Sequence, residues 1–80
     1  MITLYINPTC PFCIKTVEVA KASGAPLTVK PITEPGVEQE LIELGGKRQM
    51  PFMVDDTRKI SMYESDDIMR YIIDTYAPRE

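Results

Sequence analysis

The amino-acid sequence predicts an α/β domain in which a four-stranded mixed sheet has helices on both faces. Strand-like and helix-like segments follow one another in the order βαβαββα. A strand–helix–strand start favours a parallel pair with a right-handed crossover, and two short strands around Asp55-Asp56-Thr57 favour a hairpin that extends the sheet. A length of 80 residues permits one hydrophobic core, so we expect a single domain over residues 1–80.

The first half of the chain contains two predicted strands and one predicted helix. Ile2–Ile6 is a short apolar strand that ends at Asn7-Pro8. The helix runs from Pro11 to about Ser23, and a second strand covers Leu27–Ile32. Helical spacing predicts a buried face formed by Cys13, Val17 and Ala20.

The second half contains a helix, a hairpin and a last helix. Gly45-Gly46 ends the middle helix, whose apolar positions are Val37, Leu41 and Leu44. The two hairpin strands are Phe52–Val54 and Lys59–Met62. The last helix begins at Ser65 and Pro78 marks its end. Its apolar face consists of Ile68, Ile72 and Tyr76.

Composition and charge exclude several classes of protein. Twelve acidic and nine basic residues give a net charge of −3 without a basic block, which argues against a nucleic-acid partner. The longest apolar run, Met50–Val54, is far too short to span a membrane, and Met1 leads into a strand without a charged leader. We therefore expect a cytoplasmic monomer with no membrane partner.

The most informative motif is Cys10-Pro11-Phe12-Cys13, which contains both cysteines of the chain. Two thiols at i and i+3 lie on one helix face and can close a small disulfide. Pro11 suits the first helical position, which places Cys10 at the helix start. Backbone N–H groups there favour a thiolate, lowering its pKa from roughly 8.5 into a range of about 3.5–7.5. The motif predicts that Cys10 is a nucleophile and Cys13 a resolving thiol.

Two other interpretations of the cysteine pair stay open. The chain has no histidine and no second cysteine pair, so one chain cannot complete a four-ligand zinc site, although a dimer can supply four thiolates. A structural disulfide in so short a loop would constrain the unfolded chain only modestly. The strand before the motif and the helix after it favour a redox dithiol, and we expect no metal.

Four segments carry a resemblance to a known family. They are Tyr5-Ile6, Cys10–Cys13, Gly45–Phe52 and Tyr63–Ile68. Together, over nearly the whole chain, they look like the thioredoxin-fold domain of glutaredoxins. The chain is especially similar to the first domain of two-domain bacterial glutaredoxins, which in turn resembles the N-terminal domain of glutathione transferases. Those two-domain relatives continue into an all-helical domain, so this chain is either a minimal glutaredoxin or one domain of a longer protein.

The resemblance implies roles for the cysteine motif and for the step before the hairpin. Cys10 matches the attacking thiolate of the family and Cys13 its resolving thiol, while Phe12 stands where a tyrosine is usual. Met50-Pro51 matches a cis-proline step, where the backbone of the preceding residue pairs with the cysteinyl unit of glutathione. Valine is common at the position of Met50, and the longer side chain bears on the fit of the substrate.

The resemblance also implies which residues hold the two ends of glutathione. Glu64, Ser65 and Asp66 match the segment that binds the γ-glutamyl end, whereas Arg48 and Gln49 lie where the family contacts the other end. A simpler interpretation of Ser65 and the acidic residues after it is a helix N-cap.

The implied function is that of a glutathione-dependent thiol–disulfide oxidoreductase. Its substrates would be protein disulfides or protein–glutathione mixed disulfides, with glutathione as cosubstrate. Asn7 replaces a lysine that many glutaredoxins use to stabilise the thiolate. The alternatives are a glutathione-binding module with little turnover, an iron–sulfur carrier formed by two glutathione-bridged chains, and a reductant fed by thioredoxin reductase.

Overall fold

The computed structural model of the protein describes residues 1–77 and contains the predicted order of elements. The boundaries predicted for the four strands, the first helix, the end of the middle helix and the start of the last helix lie within one residue of those observed. The expected end of the last helix at Pro78 lies outside the described residues. The elements are β1 (Ile2–Ile6), α1 (Pro11–Ser23), β2 (Leu27–Pro31), α2 (Val37–Gly45), β3 (Phe52–Asp55), β4 (Ile60–Met62) and α3 (Ser65–Tyr76).

The four strands form one mixed sheet in the order β2-β1-β3-β4, which confirms the predicted architecture. β1 pairs with β2 in parallel, with Ile2 opposite Leu27. β1 pairs with β3 in antiparallel fashion, with Ile2 opposite Asp55, and β4 completes the hairpin with β3. Because β1 is central, the loop that follows it lies beside the ends of its neighbours in the sheet.

Each face of the sheet has its own core. Successive residues of a strand point to opposite faces, so Leu4 and Tyr5 in β1 belong to different clusters. Helices α1 and α3 cover one face, on which the buried cluster is Ile2, Leu4, Ile6, Cys13, Ala20, Met53, Ile68 and Ile72. Helix α2 covers the other, on which the buried cluster is Tyr5, Ile32, Val37, Leu41 and Phe52.

The buried face of α1 differs from the prediction. It contains Thr16 and Ser23 beside Cys13 and Ala20, whereas Val17 is half-buried at its margin. The two hydroxyls are tolerated because each donates a 2.7 Å hydrogen bond to a carbonyl of its own helix, that of Phe12 for Thr16 and that of Ala20 for Ser23. A polar side chain that is satisfied within its own helix costs little to bury.

Leu44 was expected in the core and is instead 55% exposed. It lines a shallow hollow together with Val54 and Ile60, near the C-terminal end of α2. A single helix of nine residues covers this face of the four-stranded sheet, so apolar residues at the margin of the helix keep contact with solvent.

Asp55, at the end of β3, is fully buried and joins α3 to the hairpin. The hydroxyls of Tyr71 and Tyr76 donate hydrogen bonds of 2.6 and 2.8 Å to its Oδ2. The Thr57 N–H donates to Oδ1 at 3.1 Å, and the Arg58 guanidinium lies 3.4 Å from Oδ2. The sequence pattern indicated only a turn here, so this buried carboxylate is a feature that sequence reasoning missed.

Candidate active site

Cys10 lies at the junction of the β1–α1 loop and helix α1. It is the N-cap residue, with an extended backbone (φ −85°, ψ 120°), and Pro11 occupies the first helical turn as predicted. Its side chain makes no capping hydrogen bond in the structure. The N–H group of Cys13 stabilises the thiolate form and lowers the pKa of Cys10, and the N–H group of Phe12 adds a smaller effect in the same direction. The thiol is partly exposed, so it is accessible to a reactant.

Cys13 has the opposite character. Its side chain is fully buried in the core beneath α1. Burial raises the pKa of Cys13, and the adjacent Cys10 thiol raises it further, whereas a hydrogen bond from the Asn7 N–H lowers it in part, so that the pKa lies at about 11. Both thiols are free. The motif therefore combines one accessible, more acidic thiol with one buried thiol that stays protonated at neutral pH.

Asn7 shapes the loop that carries Cys10. Its side-chain Oδ1 accepts hydrogen bonds from the Thr9 N–H at 3.1 Å and from the Thr9 hydroxyl at 2.9 Å. Its main-chain carbonyl accepts the Cys10 N–H at 3.0 Å. In the sequence, Asn7 marks the end of the first strand and replaces a lysine of the family, whereas the structure gives it three hydrogen bonds that order the turn before Cys10.

A groove of about 310 Å³ lies beside the cysteine motif. Seven of the ten predicted site residues line it: Phe12, Gln49, Met50, Pro51, Glu64, Ser65 and Asp66. Phe12 is 65% exposed and connects the groove to the motif. Three segments far apart in sequence thus meet at one site, which neither composition nor periodicity alone would reveal.

The other three predicted site residues do not line the groove. Cys13 lies beneath it in the core, and Cys10 belongs to the helix start next to Phe12. Arg48 points its Nε to Glu38 Oε1 at 3.1 Å, and both side chains are about half exposed. Arg48 is therefore engaged on α2 in this structure and would have to leave Glu38 to contact a ligand in the groove.

A cis peptide bond and a side-chain hydrogen bond occur among the residues that line the groove. The Met50-Pro51 peptide bond is cis, as the resemblance implies. Gln49 donates a 3.2 Å hydrogen bond from its Nε2 to Glu64 Oε1, which links the segment before β3 to the start of α3. The groove is therefore formed mainly by the cis-proline segment, residues 49–51, and by the N-terminus of α3.

The N-cap interpretation of Ser65 is wrong. Glu64 is the N-cap of α3, with φ −32° and ψ 123°, and it makes no side-chain capping hydrogen bond. Ser65 is the first helical residue, followed by the acidic Asp66 and Asp67. Ser65 and the first turn of α3 line the groove, and the N-terminus of a helix favours an anionic group.

The described part of the chain offers neither a cluster of metal-binding side chains nor a helix that could span a membrane. Among residues 1–77, no group of three or more histidine, cysteine, aspartate or glutamate side chains is placed to hold a metal ion. Within the same range, no helix has the length and apolar character needed to cross a bilayer.

The mixed four-stranded sheet, the helices on both faces and the cis-proline step beside a helix-borne dithiol define a thioredoxin-like domain. The family profile described as "Glutathione S-transferase, N-terminal domain" matches residues 4–80. The chain belongs to this family. Of the two groups that the sequence resembles, glutaredoxins and the N-terminal domains of glutathione transferases, the profile matches the second. No curated protein matches the chain.

Solved structures of glutathione transferases share the fold of this chain. A delta-class glutathione transferase from Nilaparvata lugens superposes with a TM-score of 0.80 at 29% identity over 99% of this chain. An unclassified glutathione S-transferase from Bombyx mori gives 0.81 at 22% identity over 98%. A glutathione transferase homolog from Sulfitobacter, with bound glutathione, gives 0.74 at 14% identity over 95%. The chain spans only 38%, 37% and 37% of these proteins.

Proposed function

We propose that the groove binds glutathione and that Cys10 exchanges thiols with disulfides held there. The observation that carries the proposal is the contrast between the accessible, acidified Cys10 and the buried Cys13 beside a groove lined by Phe12, Met50-Pro51 and the start of α3. We propose further that residues 1–80 form one domain, which acts as a monomer in a reducing cytoplasm.

The groove offers a partner for each part of the tripeptide. The γ-glutamyl carboxylate would accept hydrogen bonds from Ser65 and the first N–H groups of α3, while its ammonium group would pair with Glu64 or Asp66. The cysteinyl unit would pair with the backbone of Met50. Gln49, and Arg48 once it leaves Glu38, would contact the glycyl end.

The proposed reaction is a pair of thiol–disulfide exchanges. The Cys10 thiolate attacks the glutathione sulfur of a protein–glutathione mixed disulfide, forms a new S–S bond and expels the protein thiolate, which takes up a proton. A second glutathione thiolate then attacks the glutathionyl sulfur on Cys10. This step releases glutathione disulfide and restores the Cys10 thiolate. Alternatively, Cys13 loses its proton, attacks Cys10 and releases reduced glutathione, leaving an intramolecular disulfide.

A second candidate function is glutathione binding with little turnover. The family match and the transferase neighbours support binding more directly than exchange, since none of them is described as a disulfide reductase. Asn7 also favours this candidate, because its side chain carries no positive charge to stabilise a thiolate. In this case the domain would supply the glutathione site of a transferase-like protein.

One experiment separates the two candidates. Reduction of a glutathione mixed disulfide is coupled to glutathione reductase and NADPH and measured for the native chain, Cys10→Ser and Cys13→Ser. We expect Cys10→Ser to abolish turnover and Cys13→Ser to retain most of it, because a second glutathione replaces the resolving thiol. A folded native chain that binds glutathione in calorimetry but shows no turnover would establish the binding module. Equal loss in both variants would contradict the assigned roles.

A further inference from the structure

We propose that Tyr63, which does not line the groove, is a positioning residue that holds the two main sides of the groove in register for glutathione. The inference rests on the proposed glutathione binding. It concerns how the site is built, since Tyr63 need not touch the ligand.

The two main sides of the groove flank the open end of the β3–β4 hairpin, beyond its last paired residues, Met53 and Met62. Apart from Phe12, the lining of the groove comes from residues 49–51, which precede β3, and residues 64–66, which open α3. The Gln49–Glu64 hydrogen bond at 3.2 Å is exposed, so water competes with it. The Tyr63–Lys47 hydrogen bond is exposed as well, so the firmer part of the connection is packing against the buried Phe52 ring.

Tyr63 supplies that connection because it immediately precedes Glu64 and contacts both flanks of the other segment. Its hydroxyl donates a 2.9 Å hydrogen bond to the main-chain carbonyl of Lys47, two residues before Gln49. Its ring packs against Phe52, which follows Pro51, with a centroid separation of 4.5 Å. The Lys47 ammonium lies 4.7 Å from the ring centroid, a cation–π contact. Residues 49–51 are thus held from both ends by one side chain.

Gly45 shows that this position is shaped for the tyrosine ring. A Cβ atom on Gly45 would overlap the Tyr63 hydroxyl, would lie 2.7 Å from its Cζ and would be 3.2 Å from Cζ of Phe52. Gly45 is the last residue of α2 and has no left-handed backbone that would require glycine. The absent side chain is therefore explained by the close approach of Tyr63.

The test compares Tyr63→Phe with Tyr5→Phe. Both variants lose one hydroxyl from an aromatic ring that packs against Phe52, at 4.5 Å for Tyr63 and 5.8 Å for Tyr5. The Tyr5 hydroxyl bonds to Glu40 on α2 and makes no link to Lys47. Calorimetry with reduced glutathione measures Kd. We expect Tyr63→Phe to weaken binding about 2- to 10-fold, the range for one lost hydrogen bond, and Tyr5→Phe to leave Kd unchanged.

Two further readouts distinguish positioning from a general loss of structure. The rate of Cys10 alkylation by iodoacetamide should stay at the native value in both variants, because Tyr63 does not contact the thiol. Amide hydrogen exchange in the absence of ligand should accelerate in peptides covering residues 47–52 and 63–66 of Tyr63→Phe, and not in those of Tyr5→Phe.

Distinct outcomes would overturn the inference and the proposed function. A native Kd in Tyr63→Phe, or equal weakening in Tyr5→Phe, would overturn the role of Tyr63 while glutathione binding stands. Native exchange rates in both segments would likewise overturn it. A native chain that does not bind glutathione would overturn the proposed function, and with it the role of Tyr63 in binding.

Discussion

Cys10 and Cys13 are three residues apart and differ sharply in ionisation. The N–H groups at the start of α1 lower the pKa of Cys10, whereas burial raises that of Cys13 to about 11. The difference comes from geometry at the helix start, because the N-cap residue faces the unpaired N–H groups and the third helical residue faces the core. No histidine base is needed to explain why one thiol would react first.

The pH dependence of alkylation tests this assignment. In Cys13→Ser, which retains the backbone N–H that stabilises the thiolate, the iodoacetamide rate should rise with pH along a curve whose midpoint lies below the free-cysteine pKa of about 8.5. The sign follows from the lowered pKa, since the reactive thiolate is populated at lower pH than in a free thiol. The same variant unfolded in guanidinium is the control. Coincident folded and unfolded profiles would contradict the assignment.

Sequence reasoning at the residue scale succeeded where one local rule decides. Pro11 at the first helical turn follows from its missing N–H and fixed φ. Sequence reasoning failed where the hydrogen-bond partner of a side chain depends on the folded structure. Thr16 and Ser23 were passed over as buried residues because their hydrogen bonds to their own helix are invisible in the pattern, and the pairing of Arg48 with Glu38 depends on the folded loop.

At the scale of elements, most helix and strand boundaries could be predicted from the sequence, whereas the need for glycine at position 45 could not. Gly46 ends α2 in the left-handed conformation (φ 86°), which favours glycine, so the Gly45-Gly46 pair correctly located the end of the helix. The need for glycine at 45 has a different cause. Glycine is needed there because of Tyr63, which follows the hairpin and stands eighteen positions later in the chain. Long-range packing of this kind leaves no local signal.

Gly45→Ala is expected to destabilise the protein even though alanine favours helix by about 1 kcal/mol. Displacement of the Tyr63 ring should outweigh that gain, giving a net loss of about 1–3 kcal/mol in the free energy of unfolding. Urea denaturation measures it. In a Tyr63→Leu background, which lacks the ring, the cost of Gly45→Ala should shrink. A single variant as stable as the native chain would rule out the steric explanation.

At the scale of the whole molecule, the order of elements and the mixed sheet followed from the sequence, whereas the contacts that join distant elements did not. Asp55 is the main example, because its partners lie in the hairpin turn and in α3. Burial alone would raise its pKa, but the hydrogen bonds from Tyr71 and Tyr76 and from backbone N–H groups outweigh that effect and lower the pKa. Burial, together with the bond to this carboxylate, raises the pKa of Tyr71 to about 12.

The lowered pKa predicts how stability depends on pH. A carboxyl group whose pKa is lower in the folded state stabilises the fold above its unfolded pKa of about 3.9, and this contribution disappears as the pH falls through the folded value. Asp55→Asn should therefore lose about 1–3 kcal/mol at pH 7, with the difference from the native chain shrinking below about pH 4.

Asp56→Asn is the matched control for this prediction. Asp56 is the neighbouring residue, is well exposed and pairs with the amino terminus, so its replacement should change stability by no more than about 1 kcal/mol. Urea denaturation at pH 7 and at pH 3.5 measures both variants. A loss in Asp55→Asn that is equally large at the two pH values would show that the charge of Asp55 is not what stabilises the fold.

The order of strands has a consequence for self-association. The outermost strands are β2 and β4, whose free edges are the places where another chain could add a strand and start aggregation. Pro26 precedes β2 and Pro31 is its last residue, so that edge is bounded at each end by a residue without an N–H donor. β4 is only three residues long and follows Lys59. One free edge is thus bounded by residues that cannot donate a hydrogen bond and the other is short, which limits the pairing that another chain could make at either edge.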